Sequence, residues 1–403
     1  MMKNLSDWEK YQTDVLFLLV GTNPLPNYVA GCLLAKPNAT LYLLHSQRNG
    51  ENTYEVAQRL KAALKRPECR QDLRIEVRGI SRSDPEAIHQ RMQDILSEVP
   101  PSTHVGLNYT GGTKAMSVHV YHAVHEAYPD GVYSYLDATS LRMIINLKGI
   151  PTQQMLIGRD VKLDFRTLFG LHGYKLVSAR RDAKQVDFCS TLAKVHSTSE
   201  GVKQWRAWLQ TFGNKEREPQ LPTANEYPAL KPVIEAFANL CGGSPTKGGV
   251  ATALGCRSLK SCAKFFSGGW LEEFTYHALT STGIAFDDQG LEIQANKRGA
   301  DKLDLDVASI WGYQLFAISC MVTEKKQKAK EHLFEVFVRA RQLGGDEARI
   351  GLVSCVSNPA ALQAEIEERW DAKGKIRVFG QSHLPELSEW LKDWIRTANK
   401  EVQ

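Results

Sequence analysis

The sequence predicts an α/β fold in two units, a doubly wound domain over residues 1–150 and a second α/β domain over 261–403, joined by a helical connector over 151–260. Three observations point there. The strand-like runs of the first 150 residues are continuously apolar, as strands covered on both faces are. Helix-like segments separate most of them, which makes the sheet largely parallel. Between about 151 and 260 the pattern changes to helices with polar, Pro- and Gly-bearing breaks, before alternation resumes.

The elements follow in order. DVLFLLVG (14–21), TLYLLHS (40–46), LRIEV (73–77), HVGLNY (104–109), VYSYLD (132–137) and LRMIINL (141–147) are the expected strands of the first domain. GNKEREPQLPTANEYP and GGSPTKGG interrupt the connector. In the second domain a helix (WLEEFTYHAL) leads to the strands KLDLDVASI and YQLFAISCM. A long helix (KEHLFEVFVRARQLGG) then leads to ARIGLVSCV, and LPELSEWLKDWI closes the chain as an amphipathic helix.

Composition narrows the function class. The chain has 403 residues, 43% hydrophobic and 24% charged, with a formal net charge of +5. This is ordinary globular composition, and the mild positive charge permits an anionic partner without demanding one. No apolar run approaches the roughly 18 residues of a membrane helix. The polar, acidic opening does not read as a signal peptide. The 8 cysteines lack CxxC pairs, so neither a zinc knuckle nor a disulfide framework is indicated, and a reducing cytoplasm is the expected location.

The stretch NYTGGTKAM (108–116) carries the first candidate site. Gly111 and Gly112 form the turn from a strand into a helix, where free N–H groups and the helix dipole favour an anion. Lys114 sits in the first helical turn and opposes the dipole unless an anion pairs with it. Thr110 and Thr113 add hydroxyls. The spacing is not that of a Walker A loop. GTNPLPN places Gly21, Thr22 and Asn23 at the same sheet edge, where ligands of doubly wound sheets bind. The second strand ends in Ser46 rather than the acid that binds an NAD ribose, which argues against a dehydrogenase.

These residues resemble a family. VGTNPLPN, LLHS and NYTGGTKAM are similar to the CRISPR-associated Rossmann fold (CARF) sensor domains. GGWLEEF, LDLDV, FAISC and LFEVFVRARQLGG resemble the restriction-endonuclease-like half of CARF nucleases of type III CRISPR immunity. The resemblance implies a Rossmann-like sensor over 1–150 and a nuclease domain over 261–403. It implies a homodimer that binds a cyclic oligoadenylate, commonly cyclic tetra-adenylate, and then cuts DNA, RNA or both. Thr110, Gly111, Gly112, Thr113 and Lys114 would contact the ring phosphates, with Met116 in the same segment. Gly21, Thr22, Asn23 and Ser46 would line the pocket.

The second candidate site lies on KLDLDVASI. Strict alternation puts Leu303, Leu305 and Val307 on one side and Asp304 and Asp306 on the other. Paired carboxylates can hold a hard cation, Mg²⁺ or Mn²⁺, that activates water against a phosphodiester. Glu272 and Glu273 on the preceding helix complete the candidate metal set with Asp306. The restriction-like pattern asks for an acidic or polar residue and a lysine on the next strand, and here those positions read Ser319 and Met321. Methionine neither donates a proton nor carries charge. Either a lysine of EKKQKAK, Lys325 or Lys326, swings into the site, or the domain is impaired and the protein is a nucleotide-sensing regulatory or nucleic-acid-binding protein.

Overall fold

The computed structural model describes residues 6–47, 52–66, 69, 72–212, 221–297 and 302–400. Among the described residues, thirteen strands form two sheets. The first holds β1 (Thr13–Val20), β2 (Ala35–Gln47), β3 (Arg74–Ser81), β4 (Val105–Asn108), β5 (Val132–Asp137), β6 (Arg142–Leu147) and β7 (Ile150–Leu156) in the order β3-β2-β1-β4-β5-β6-β7. The pairs among β1 to β5 are parallel, and β6 and β7 add an antiparallel hairpin at one edge. β1 is buried at every position but Asp14, because helices cover both faces: Leu16, Leu18 and Val20 pack with the helix Leu25–Leu34, and Val15, Phe17 and Leu19 with the helices on the other side. Its continuous apolarity therefore reads correctly.

The second sheet holds β8 (Lys175–Arg180), β9 (Asp288–Asn296), β10 (Lys302–Trp311), β11 (Gln314–Met321), β12 (Arg349–Ser354) and β13 (Ile376–Phe379) in the order β13-β12-β11-β10-β9-β8. β11, β12 and β13 run parallel, whereas β8, β9 and β10 are antiparallel to their neighbours. The stretch 151–260 is thus not purely helical. It gives most of β7 to the first sheet and all of β8 to the second.

The layers stack through shared apolar surface. One cluster joins Leu16, Leu43 and Met143 of the first sheet to Leu305, Leu315 and Ile350 of the second. Each such side chain contributes about 1.5–3 kcal/mol by burial, so the two domains are held by a core and not by a tether. On the outer face of the first sheet, Phe17 and Leu19 pack on the helices Pro85–Ser97 and Lys114–Ala127. On the outer face of the second, Phe316 and Ile318 belong to one apolar cluster with Trp205, Trp208, Phe266 and Trp270, and the Phe316 ring meets Trp394 edge-on. Trp205 and Trp208 are accordingly packing residues. The thiols of Cys32 and Cys69 come together with Sγ atoms 2.7 Å apart, a pairing that spacing alone does not reveal. Among the described residues no helix is long and apolar enough to cross a membrane.

Candidate functional sites

The glycines of TGGTK answer first to the chain itself. A Cβ on Gly111 would collide with the Leu19 carbonyl at the end of β1 and lie 2.8 Å from the Gly21 nitrogen. A Cβ on Gly21 would lie 3.1 Å from the Gly112 nitrogen. The two loops touch backbone to backbone, which holds the ends of β1 and β4 together. Gly112 has φ 77°, a left-handed conformation glycine adopts without strain. Gly111→Ala is expected to destabilise the fold by about 1–3 kcal/mol through overpacking, measured as a lower denaturant midpoint; an unchanged midpoint would contradict the close approach.

Several expected ligand contacts are committed elsewhere. The Thr110 hydroxyl donates to Asn108 Oδ1 at 2.8 Å and accepts from the Leu136 N–H at 2.7 Å. Thr113 caps the helix Lys114–Ala127 by accepting from the Met116 N–H, and its hydroxyl donates to the Arg82 carbonyl at 2.6 Å. Met116 is fully buried in the outer core, beneath Gly112. Ser46 is buried, with Thr53 Oγ1 accepting from its N–H. Those four positions build the loop. Thr22, Gly112 and Lys114 are exposed, and Lys114 makes no ion pair among the described residues. Asn23 joins the two domains, since a Cβ on Gly345 would collide with its Nδ2. Gly345 opens the short turn Gly345–Glu347 after the long helix Lys326–Gly344.

The second site is a cavity of about 720 Å³ lined by Glu272, Glu273, Asp304 and Asp306 together with Arg180, Lys264 and Glu292. Asp306 is held in place: Ser319 Oγ donates to its Oδ2 at 3.1 Å and the Cys320 N–H donates to the same oxygen at 2.8 Å. Strict alternation along β10 does not survive. The β9–β10 ladder pairs Leu305 with Ile293 and Val307 with Leu291 but skips Asp306 and Glu292 between them. Glu292 takes φ 48°. In consequence Leu303 and Leu305 join the core between the sheets, whereas Val307 joins the outer one. Such local strain is what functional sites commonly store.

The two glutamates divide. Glu273 is buried and spent on structure, accepting from Arg180 Nη1 at 2.7 Å, from Nη2 at 3.2 Å and from the Lys184 N–H at 2.8 Å. As a metal ligand it is a correction to the sequence reading: both its oxygens brace β8. Glu272 makes no hydrogen bond among the described residues, and burial, with the Asp306 charge beside it, pushes its carboxyl up to about 8. Burial also raises Asp306, against the lowering effect of its two hydrogen bonds. Lys325 is exposed, at the start of the helix Lys326–Gly344, and is not among the cavity's walls; Met321 is not either. Arg180 and Lys264 lie in stretches that sequence reading treated as connector or passed over, with no local motif to flag them.

A divalent cation fits this donor set. Glu272 and Asp306 present carboxylate oxygen, and their mutual repulsion is what a hard cation relieves. No group of three or more His, Cys, Asp or Glu side chains is gathered for a metal among the described residues, and Mg²⁺ is commonly held by one or two carboxylates with water completing its shell. At pH 7 the Glu272 carboxyl, raised to about 8, carries its proton. Binding of Mn²⁺ is therefore expected to release about one proton at pH 7 and almost none at pH 9.5, read by calorimetry in buffers of different ionisation enthalpy. The same shift makes the metal-free fold lose stability as pH rises from about 4.5 through about 8.

Residues 259–398 match the family described as Card1-like, endonuclease domain. No curated protein matches the chain by sequence. Among solved structures, Can2 from Sulfobacillus thermosulfidooxidans in complex with cyclic tetra-adenylate is similar over 96% of this chain and 99% of its own, with TM-score 0.69 and 19% identity. Protein VC1899 from Vibrio cholerae is similar over 95% and 98%, with TM-score 0.70 and 14% identity. The whole chain thus shares the two-domain fold of these proteins.

Proposed function

We propose that the chain, whose C-terminal part is a Card1-like endonuclease domain, is a metal-dependent nuclease switched on by a cyclic oligoadenylate in type III CRISPR defence, with cyclic tetra-adenylate the first ring to try. The observation that carries the reading is the Glu272–Asp306 pair in a cavity of an endonuclease-type domain. The fold shared with Can2, which was solved with that ring, supports the sensor half.

Glu272 and Asp306 would hold Mg²⁺ or Mn²⁺, which when bound polarises the scissile phosphodiester and lowers the pKa of a water. Ser319 and the Cys320 N–H fix the direction of the Asp306 carboxylate, and Arg180 fixes Glu273 and with it the wall behind Glu272. Exposed Asp304 widens the negative mouth of the cavity. In the sensor, free N–H groups around Gly112 and the Lys114 ammonium favour a phosphate. A ring shared across a two-fold axis would meet this loop twice, once from each protomer of a homodimer. Asn23, lying against Gly345, offers a direct route by which a filled sensor displaces the nuclease domain.

The test is cleavage of supercoiled plasmid and labelled single-stranded DNA and RNA with Mn²⁺, across cyclic tri-, tetra- and hexa-adenylate. Cleavage by one ring alone is expected; no cleavage with any ring, despite ring binding, would defeat the nuclease reading. Met321 favours a second reading, a nucleotide-sensing regulatory or nucleic-acid-binding protein whose nuclease is impaired. Met321→Lys separates them: activity that appears only in the variant would establish the impairment.

A further inference from the structure

We infer that Lys264 supplies the cationic contact to the scissile phosphate that Met321 cannot make. The inference rests on the nuclease reading above and goes beyond it to a specific residue. Lys264 ends the helix Leu259–Lys264, continues through a π-helical turn at Phe265–Gly269 and enters the helix Trp270–Thr280 that carries Glu272. The turn decides the geometry. Eight steps of an uninterrupted α-helix would leave residues 264 and 272 about 80° apart around the axis. A π turn absorbs one extra residue, and the remaining seven steps bring them within about 20°. Lys264 and Glu272 therefore share one face, and both line the cavity with Asp306.

The turn is not a loose kink. Phe266, the second residue of the turn, is fully buried, and the Trp205 indole N–H donates to the Phe266 carbonyl at 3.2 Å. A Cβ on Gly268 would meet nothing within 4 Å, so the outer side of the turn lies open. The Lys264 side chain is exposed and makes no ion pair among the described residues, whereas Arg180, the cavity's other cation, is bound to Glu273 and Glu292. The ammonium is free to donate to a non-bridging phosphate oxygen. In the hydrolysis it would assist, a water oxygen bonds to phosphorus while the bond from phosphorus to the leaving ribose oxygen breaks. The proton the water gives up ends on that leaving oxygen. Lys264 stays protonated throughout and acts by charge.

The experiment compares Lys264→Met, which keeps an apolar stem of similar length, with Lys264→Arg and with Lys264→Met carrying Met321→Lys. Each is assayed as full-length protein on supercoiled plasmid with Mn²⁺ and saturating cyclic tetra-adenylate, or whichever ring of the panel activates the native chain. Loss of one positioned transition-state donor corresponds to about 10²–10³-fold in single-turnover rate. That loss is expected in Lys264→Met with an unchanged melting temperature, with recovery in Lys264→Arg and in the double variant. Calorimetry gives a readout apart from cleavage: removing a cation beside the carboxylates is expected to tighten Mn²⁺ binding, by roughly threefold or more. Cleavage by Lys264→Met at the native rate, or equal loss in all three variants, overturns the assignment. Absence of cleavage by the native chain overturns the nuclease reading itself, so the two failures are distinguishable.

Discussion

Asp306→Asn is expected to take activated cleavage down by about 10²–10³-fold or to background, the scale on which removing one preorganised polar contact to a transition state operates. The substitution keeps shape and size, and the amide oxygen can still accept from Ser319 Oγ and the Cys320 N–H, so the local strand geometry survives. The charge does not. Asp306 lies at the skipped rung of the β9–β10 ladder and its charge acts on Glu272, and without it one carboxylate would face a bound cation in place of two. Stability should move the other way. A buried acid beside another acid raises the free energy of the folded state, so Asp306→Asn is expected to melt at an equal or higher temperature while ring binding is unaffected. Asp304→Asn serves as the contrast. Asp304 is exposed and accepts nothing at its carboxylate among the described residues, and its loss is expected to cost under about tenfold. Full activity in Asp306→Asn, or a larger loss in Asp304→Asn, would remove Asp306 from the centre of the site.

Lys114→Ala is expected to weaken cyclic tetra-adenylate binding by roughly 10²-fold and to raise the ring concentration needed for cleavage by a similar factor, because on the proposed reading a ring shared by two protomers would meet the residue twice and hydrogen bonds to charged groups are worth more than neutral ones. The substitution is cheap for the fold. Lys114 is exposed, and a cation in the first turn opposes the helix dipole when no anion is present. The ligand-free variant should thus melt no lower than the native chain. Affinity down with stability held is the signature of a ligand contact; both falling together would mark Lys114 as structural. Thr110→Val and Thr113→Val are expected to behave in that second way, since each hydroxyl already donates and accepts within the protein.

Part of this is legible in the sequence itself. Strands buried on both faces carry continuous apolar runs, and β1, β2 and β11 do. Gly111 and Gly112 signalled a close approach, although the surface that approaches is the end of β1 and not a ligand alone. Asp306, Glu272 and Glu273 form the expected metal set, from the alternation of KLDLDVASI, the acidic helix before it and the resemblance to restriction-like nucleases. For Thr110, Thr113, Met116 and Ser46 the resemblance implies a place at the ligand, and the fold uses their side chains and backbone for caps, hydrogen bonds and core.

The residues that sequence pattern could not supply are those whose role depends on distant partners. Nothing local marks Arg180 as the brace of Glu273, 93 positions away, or distinguishes Glu273 from its neighbour Glu272. Asn23 gains its contact with Gly345 only when the two sheets pack. Lys264 joins Glu272 only because a π turn shifts the phase of a helix. Hydrophobic period and turn chemistry are encoded within a few residues of each other, so this chain announced its sheets and its loops by itself. Which carboxylate stays open and which cation lies beside it depends on side chains as far as 93 positions apart or on one residue of helical phase, and packing alone settled that.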